Sequence, residues 1–590
     1  MIVPMQKIHV VARSCDRQAV LEALRELGVI HLVPVDPAQA VLDEDLSRQV
    51  QAAERALQVL QDVAPRGTAP ALQPREVIQE VLEIERRAAE GRSRLAVLYH
   101  ELEQLSDWGE LRLQDLFELR KAGIAVEFFR LPRQLVGQIR AECVEVVNRL
   151  PGGQVIVAVA RKHQAVQIPE EAVPVPWPTR DCPSIRAEAA QIEAQLKRDV
   201  ERLHELAHGV PKIRRELFAL QAKAEERLAV RGALTDENLF ALQGWVPAEV
   251  APSLAEQLAA RGLPAAVEMR EPLPDEQPPT LIRPPKWAQP IEGLFRILGT
   301  VPGYREFDVS VPFLIALPIF TAMLISDGGY GALILLGCLI FYRGLTQSIG
   351  ERFTQLMMLI GGACLVWGVL TASFFGFTPY PPLVSVDLSE RSRSFLMRLS
   401  FAIGTIHLST AQAWQAVRLY PDLRFLSKVG WALFICGMYG VVNMFVLKDP
   451  FHWQTPWPYL LLLGATLAIV FAHPDRNLLN MLGLGFASFP LAMLSAFSDV
   501  ISYVRLMAVG LASSVLGASF NAMALAAGSW PVTALLMILA HGLNMALALV
   551  AMFAHGVRLN MLEFSNNLGM MWNGYAYRPF QRKTLEESSA

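Results

Sequence analysis

The spacing of apolar positions changes character along the 590-residue chain. Residues 7–11 are β-rich, 17–27 carry apolar side chains at helical spacing, Gly28 supplies a stop, and 29–33 again read as a strand. The chain therefore opens with a small β-α-β unit. Leu95, Leu98, Leu102 and Leu105 then recur three and four apart, the stripe of a long helix packing on another helix. A second stripe, from Ile192 through Leu206 to Leu220, fills 184–230 and should kink at Gly209 and Pro211. β-rich pieces at 124–131 and 155–160 lie between these tracts, and pieces at 240–246 and 265–269 flank a further helix. The pattern predicts an α+β domain of two small α/β lobes joined by a long antiparallel helical arm.

After a Pro-rich linker at 271–285 the pattern turns oily. Crossing ~30 Å of hydrocarbon takes ~20 helical residues. Segments fitting such crossings fall at about 311–326, 329–342, 354–376, 395–416, 429–447, 457–472, 480–525 and 530–568. The expected division is thus a cytoplasmic domain at 1–290 and an all-α membrane domain of eight transmembrane helices at 291–590. The last two segments are too long to stand upright, so they should be tilted or kinked, with Gly483, Gly485 and Pro490 as kink sites.

Charge sharpens this division. Only 16 of the 53 Lys+Arg and 13 of the 56 Asp+Glu lie after Val301. With a cytoplasmic start, the loops expected inside carry Arg343 and Arg352, then Arg418, Arg424 and Lys428, then Arg476, and Arg578, Arg582 and Lys583 at the tail. Arg391, Arg393 and Lys448 occupy the opposite loops. The sequence before residue 30 has no apolar core of signal-peptide type. A multi-pass protein of the cell membrane follows, with its N-terminal half and C-terminus in the cytoplasm.

Composition excludes several classes. A net charge of −3 without a dense basic run argues against nucleic acid as a partner. The six cysteines are too scattered for a disulfide framework or a zinc site. No phosphate loop occurs, so neither a nucleotide site nor a resident cofactor or metal is expected.

The chemistry concentrates at the end. Arg505 has apolar helix on both sides, and a guanidinium at membrane depth is costly by at least ~2.5–3.5 kcal/mol, so it needs an anion. Asp499 is six residues away, about 240° around an α-helix, so the missing anion is expected on another polypeptide. Permanent pairing within its own chain would argue instead for a structural ion pair. The last segment holds His541, Asn544, His555, Arg558 and Glu563. For Arg558 and Glu563, snorkelling or a plain ion pair is the bland alternative. For His541 it is a helix-helix hydrogen bond. Asp327 fits a tight turn, and His407 fits satisfied packing.

The order of features resembles subunit I (subunit a) of V/A-type rotary ATPases over nearly the whole chain. The motifs are Gly244-Trp245-Val246-Pro247, Pro302-Gly303-Tyr304-Arg305-Glu306-Phe307-Asp308, Gly329-Tyr330-Gly331, Ser502-Tyr503-Val504-Arg505-Leu506, Gly542-Leu543-Asn544, His555-Gly556-Val557-Arg558-Leu559 and Glu563-Phe564. The resemblance implies a non-catalytic, ion-translocating stator subunit. Its soluble part would hold peripheral-stalk subunits and a central-stalk adaptor subunit, and its membrane part would lie in lipid against a proteolipid ring carrying an essential carboxylate. Arg505 matches the family's essential arginine and Arg558 the second. Asp499, Ser502, Ser513, Ser514, His541, Asn544, His555 and Glu563 are candidates for two proton half-channels. Departures from the family pattern are Asp308-Val309-Ser310, Ile325-Ser326-Asp327 and Ser565-Asn566-Asn567-Leu568-Gly569. A secondary transporter, which would show an internal repeat and a substrate pocket, and a purely structural membrane anchor are the rival readings.

Overall fold

A computed structural model describes residues 1–36, 41–108, 112–162, 166–177, 179–474 and 478–582. Arg476 and Lys583, used above for orientation, lie outside the described residues. The chain forms two compact units, one of residues 1–35 with 233–590 and one of residues 36–232.

In the first unit, β1 (Met5–Arg13) leads through α1 (Arg17–Leu27) to β2 (His31–Val33). Val20, Leu21, Ala23 and Leu24 form the buried face of α1. Gly28 ends the helix with a left-handed φ of 61°, its N–H returning to the Leu24 carbonyl. The chain re-enters this sheet only after the second unit. β8 (Leu239–Pro247) inserts between β1 and β2, antiparallel to both, and β9 (Ala265–Arg270) adds beyond β1, with α7 (Ala251–Ala260) between them. The order β2-β8-β1-β9 is a split β-α-β arrangement. The short β7 (Leu234–Thr235) pairs with β8.

The second unit holds the helical arm. α2 (Glu44–Leu60), α3 (Pro74–Gln104), α5 (Cys182–Leu206) and α6 (Val210–Arg231) pack through Ala53, Ala56, Val77, Val81, Leu206, Ile213 and Leu220. Ion pairs Arg94–Glu188, Arg87–Asp199 and Arg75–Glu216 show α3 running antiparallel to the α5–α6 tract. The interruption expected at Gly209 and Pro211 falls there, as a 3-10 turn at Ala207–Gly209. The arm carries a second lobe in which α4 (Leu113–Lys121) packs on a sheet of β3 (Ala125–Pro132), β4 (Cys143–Arg149), β5 (Gln154–Arg161) and β6 (Val173–Val175), ordered β4-β5-β3-β6.

The remainder of the first unit is helical: α8 (Ile291–Leu298), α9 (Ser310–Ile325), α10 (Gly328–Ile340), α11 (Tyr342–Ile349), α12 (Glu351–Thr371), α13 (Glu390–Leu419), α14 (Arg424–Leu447), α15 (Trp457–Val470), α16 (Leu478–Ser502), α17 (Val504–Leu525) and α18 (Trp530–Ala551). Among the described residues, four helices are long and apolar enough to cross a membrane, or five if the bent pair α10–α11 is one span. Two of them are the long closing ones, 44 residues at Leu482–Leu525 and 38 at Trp530–Asn567. The first of these is interrupted at Tyr503, beside Arg505, while Pro490 lies within α16. Tyr503 is fully buried and fits because Gly404 faces it; a Cβ there would lie 2.6 Å from Tyr503 Cδ2.

Candidate functional site

Arg505 is the second residue of α17, at the middle of the 44-residue helix. Its Nε donates to the Ser502 carbonyl at 2.9 Å, and its Nη2 donates to Glu563 Oε1. This corrects the expectation that its anion lies on another polypeptide. The sequence misled because α-helical geometry puts residues 558 and 563 on different faces, and Glu563 reads as a helix-end carboxylate. Arg505 remains incompletely engaged. Two of its N–H donors are used, Nη1 has no hydrogen-bond partner among the described residues, and the side chain is 20% exposed.

Around this pair lies an inner cluster. Arg558 Nε stands 3.8 Å from Glu563 Oε1. Asn567 donates from Nδ2 to Asp499 Oδ2 at 2.9 Å and to the Glu563 carbonyl at 2.8 Å. Gln412 of α13 donates to the backbone and side-chain oxygens of Asn567, both at 3.1 Å. His407 is 2.7 Å from the Tyr503 hydroxyl and stacks on Phe564 with ring centroids 4.3 Å apart. His555 lies in the same stretch of the last helix as Arg558, its Nδ1 buried without a hydrogen-bond partner among the described residues. Among the described residues, Ser502 takes part through its backbone carbonyl alone.

A second, outer cluster lies toward the other ends of these helices. Asn521 is 16 residues beyond Arg505, about 24 Å along α17, and His541 is 22 residues before Glu563 on the last helix. His541 Nδ1 is 2.7 Å from the Tyr330 hydroxyl, and its Nε2 is 2.9 Å from Asn521 Oδ1. Asn544 donates from Nδ2 to the Tyr330 hydroxyl and the Ser513 carbonyl, both at 3.0 Å. Ser513 Oγ is buried without a partner among the described residues, and Ser514 donates to the Val386 carbonyl at 3.5 Å.

Asp327, expected in a tight turn, caps α10 and anchors this cluster. Its buried carboxylate accepts from the N–H groups of Gly329, Tyr330, Phe375 and Gly376 and from Ser373 Oγ, at 2.8–3.2 Å. Three non-glycine residues with left-handed φ, Ser326, Ala372 and Phe375, flank it. Such backbone persists where surrounding contacts over-determine it. Gly376, with φ 70°, meets the α17 backbone so closely that a Cβ would lie 2.7 Å from Ala518 N. The structure thus brings Arg505, Arg558, Glu563 and Asp499 into one region and His541, Asn544 and Ser513 into another. Sequence reasoning missed Tyr330, Asn521, Gln412 and Asn567. The placing of Tyr330 three residues after the capping Asp327 was a usable signal for the first.

Both long helices keep an open side. Leu543, Leu547, Val550, Ala554 and Arg558 form an exposed stripe on the last helix. Ala508, Ala512, Leu516, Ser519 and Met523 form one on α17. The second is mostly small residues, which permit close approach of another helix.

No protein-family model matches the chain. The site nevertheless sits in a chain similar from end to end to one class of protein, a subunit of V- and A-type ATP synthases. V-type ATP synthase subunit I of Borreliella burgdorferi is 26% identical over 99% of this chain and 100% of its own length. Subunit I 1 of Treponema pallidum is likewise 26% identical over 99% and 100%. A-type ATP synthase subunit I of Methanocaldococcus jannaschii is 25% identical over 68% of this chain and 64% of its own. A crystal structure of the cytoplasmic N-terminal domain of a V-ATPase subunit I covers 45% of this chain and 99% of that domain at 18% identity, with a TM-score of 0.17. The resemblance to V/A-type subunit I therefore holds across the full length of the chain.

Proposed function

We propose that this chain is the membrane stator subunit of a V/A-type rotary ATPase, forming two proton half-channels against a ring of subunits that each carry a carboxyl group. In this reading the membrane part crosses the cell membrane eight times, and the soluble part at 1–290 holds peripheral-stalk and central-stalk subunits in the cytoplasm. No nucleotide is handled by this chain.

The observation that carries the reading is the half-engaged guanidinium of Arg505, open at Nη1 and partly exposed at the middle of a long apolar helix. A mobile carboxyl group is neutral while it faces lipid, because ionising it there is expensive. Beside the Arg505 guanidinium it ionises and releases its proton. The inner cluster of Asp499, Asn567 and Gln412 supports a path to the cytoplasm, and the outer cluster of Tyr330, His541, Asn521 and Asn544 supports a path to the other side. Arg505 between them repels protons that would pass directly. The open stripes on the two long helices offer a surface for the ring.

A structural ion pair is the competing reading, and the internal contact between Arg505 and Glu563 favours it. Arg505→Ala decides. ATP-driven acidification of membrane vesicles should fall to background while the chain still copurifies with its complex. Pumping retained in that variant rejects the proposal.

A further inference from the structure

Glu563 occupies an unusual register. In an α-helix residues five apart stand about 140° apart, so Arg558 and Glu563 would diverge. Here Met552–Val557 and Leu559–Phe564 are π-helical. These wider turns bond residue i to i+5 and bring such residues over one another. Glu563 Oε1 consequently lies between two guanidinium groups, that of Arg558 on its own helix and that of Arg505 on α17. The Glu563 side chain is 6% exposed, whereas Arg558 is 54% exposed. The second oxygen, Oε2, is buried without a hydrogen-bond partner among the described residues.

We infer that Glu563 is a positioning residue, a resident counter-anion that holds Arg505 between visits of the mobile carboxylate and yields it when one arrives. The inference rests on the function proposed above. A guanidinium left unpaired at membrane depth is costly, and a mobile carboxylate visits only intermittently. Glu563 engages Arg505 through one terminal nitrogen and leaves Nη1 open, so an incoming carboxylate can bind before the resident one departs. Arg558, the more distant and more exposed arginine, then remains as the neighbour of Glu563. Partner exchange proceeds without an unpaired buried charge at any stage, and the π turns provide the geometry for it.

The test uses the assembled complex in membrane vesicles, comparing Glu563→Gln, Glu563→Asp and Arg505→Ala for assembly and ATP-driven pumping. Glu563→Gln should assemble and pump about tenfold slower or worse, because breaking a buried pair leaves an uncompensated charge. Glu563→Asp should recover a large part of the rate, since it restores the charge. Wild-type pumping in Glu563→Gln overturns the inference, and so does an Asp variant as slow as the Gln variant. Should Glu563→Gln fail to accumulate, the double variant Arg505→Gln with Glu563→Gln should restore accumulation, and failure to restore it also overturns the inference. Loss of pumping in Arg505→Ala with normal pumping in Glu563→Gln would sink only this inference. Normal pumping in Arg505→Ala would sink the functional reading itself.

Discussion

The inner and outer clusters are built from similar helices yet solve opposite problems. The outer cluster holds one ionisable carboxylate, Asp327, and saturates it with five donors. Around it Tyr330, His541, Asn521 and Asn544 close a chain of hydrogen bonds. Among the described residues, the inner cluster holds two arginines and two carboxylates and leaves Arg505 Nη1, Glu563 Oε2 and His555 Nδ1 unfilled, whereas the outer cluster satisfies its carboxylate and leaves the Ser513 hydroxyl without a partner. A saturated buried network specifies one geometry, whereas an unsaturated one can exchange partners. In the proposed reading the outer cluster is the rigid reference and the inner one the place where charge changes hands.

The largest expected effect breaks the rigid side. Asp327→Ala would strand five neutral donors in a buried turn and should destabilise the chain by about 3 kcal/mol or more, since each buried donor left unsatisfied costs about 1–3 kcal/mol. Asp499→Ala removes one hydrogen bond, to Asn567, and should cost about 1 kcal/mol. Thermal denaturation midpoints of the purified chain check the difference. Equal losses would erase the distinction between the clusters.

A smaller effect sharpens the distinction. Tyr330→Phe keeps the ring but removes the hydroxyl that links His541 and Asn544. Stability should fall by about 1 kcal/mol, while pumping should fall tenfold or more, short of the ~100- to 10,000-fold that a proton-transfer group typically contributes. Vesicle acidification rates, normalised to assembled chain, provide the measurement. An unchanged rate would leave the outer cluster as scaffold alone.

Much of this was legible beforehand. Arg505 stands out because a guanidinium in an apolar run conflicts with its surroundings, and such conflicts are visible in sequence. The arm was legible through its leucine stripes, and the split sheet only in pieces, since the strand at 239–247 inserts between two strands more than 200 residues earlier. An ion pair at Arg558 and Glu563 was one alternative in the sequence, but the placing of Glu563 between Arg558 and Arg505 was not legible, because π turns break the 3.6-residue period on which sequence reading depends. Asp327 was underestimated for a related reason. Four of its five donors are backbone N–H groups, and backbone leaves no mark in residue type.

The smallest effect lies outside both clusters and supplies the control for pH. Beyond the last helix the chain runs onto the N-terminal sheet: Thr280 N–H donates to the Tyr575 carbonyl, Tyr577 N–H to the Thr280 carbonyl, and Phe580 N–H to the Ile30 carbonyl. His31 Nδ1 accepts from the Arg578 N–H at 3.0 Å, and burial pushes the His31 imidazole below its ordinary value. Only the neutral ring can accept this bond. The unfolded state therefore binds more protons than the folded one over this range, and stability is lost as pH falls from about 6.5 toward the depressed folded value. Limited proteolysis of the purified chain should release the tail faster at pH 5 than at pH 7, by roughly the fewfold that one hydrogen bond of about 1 kcal/mol allows. His31→Phe should make that release fast at both pH values. A pumping defect at low pH that persists in His31→Phe then belongs to the two clusters and not to the tail.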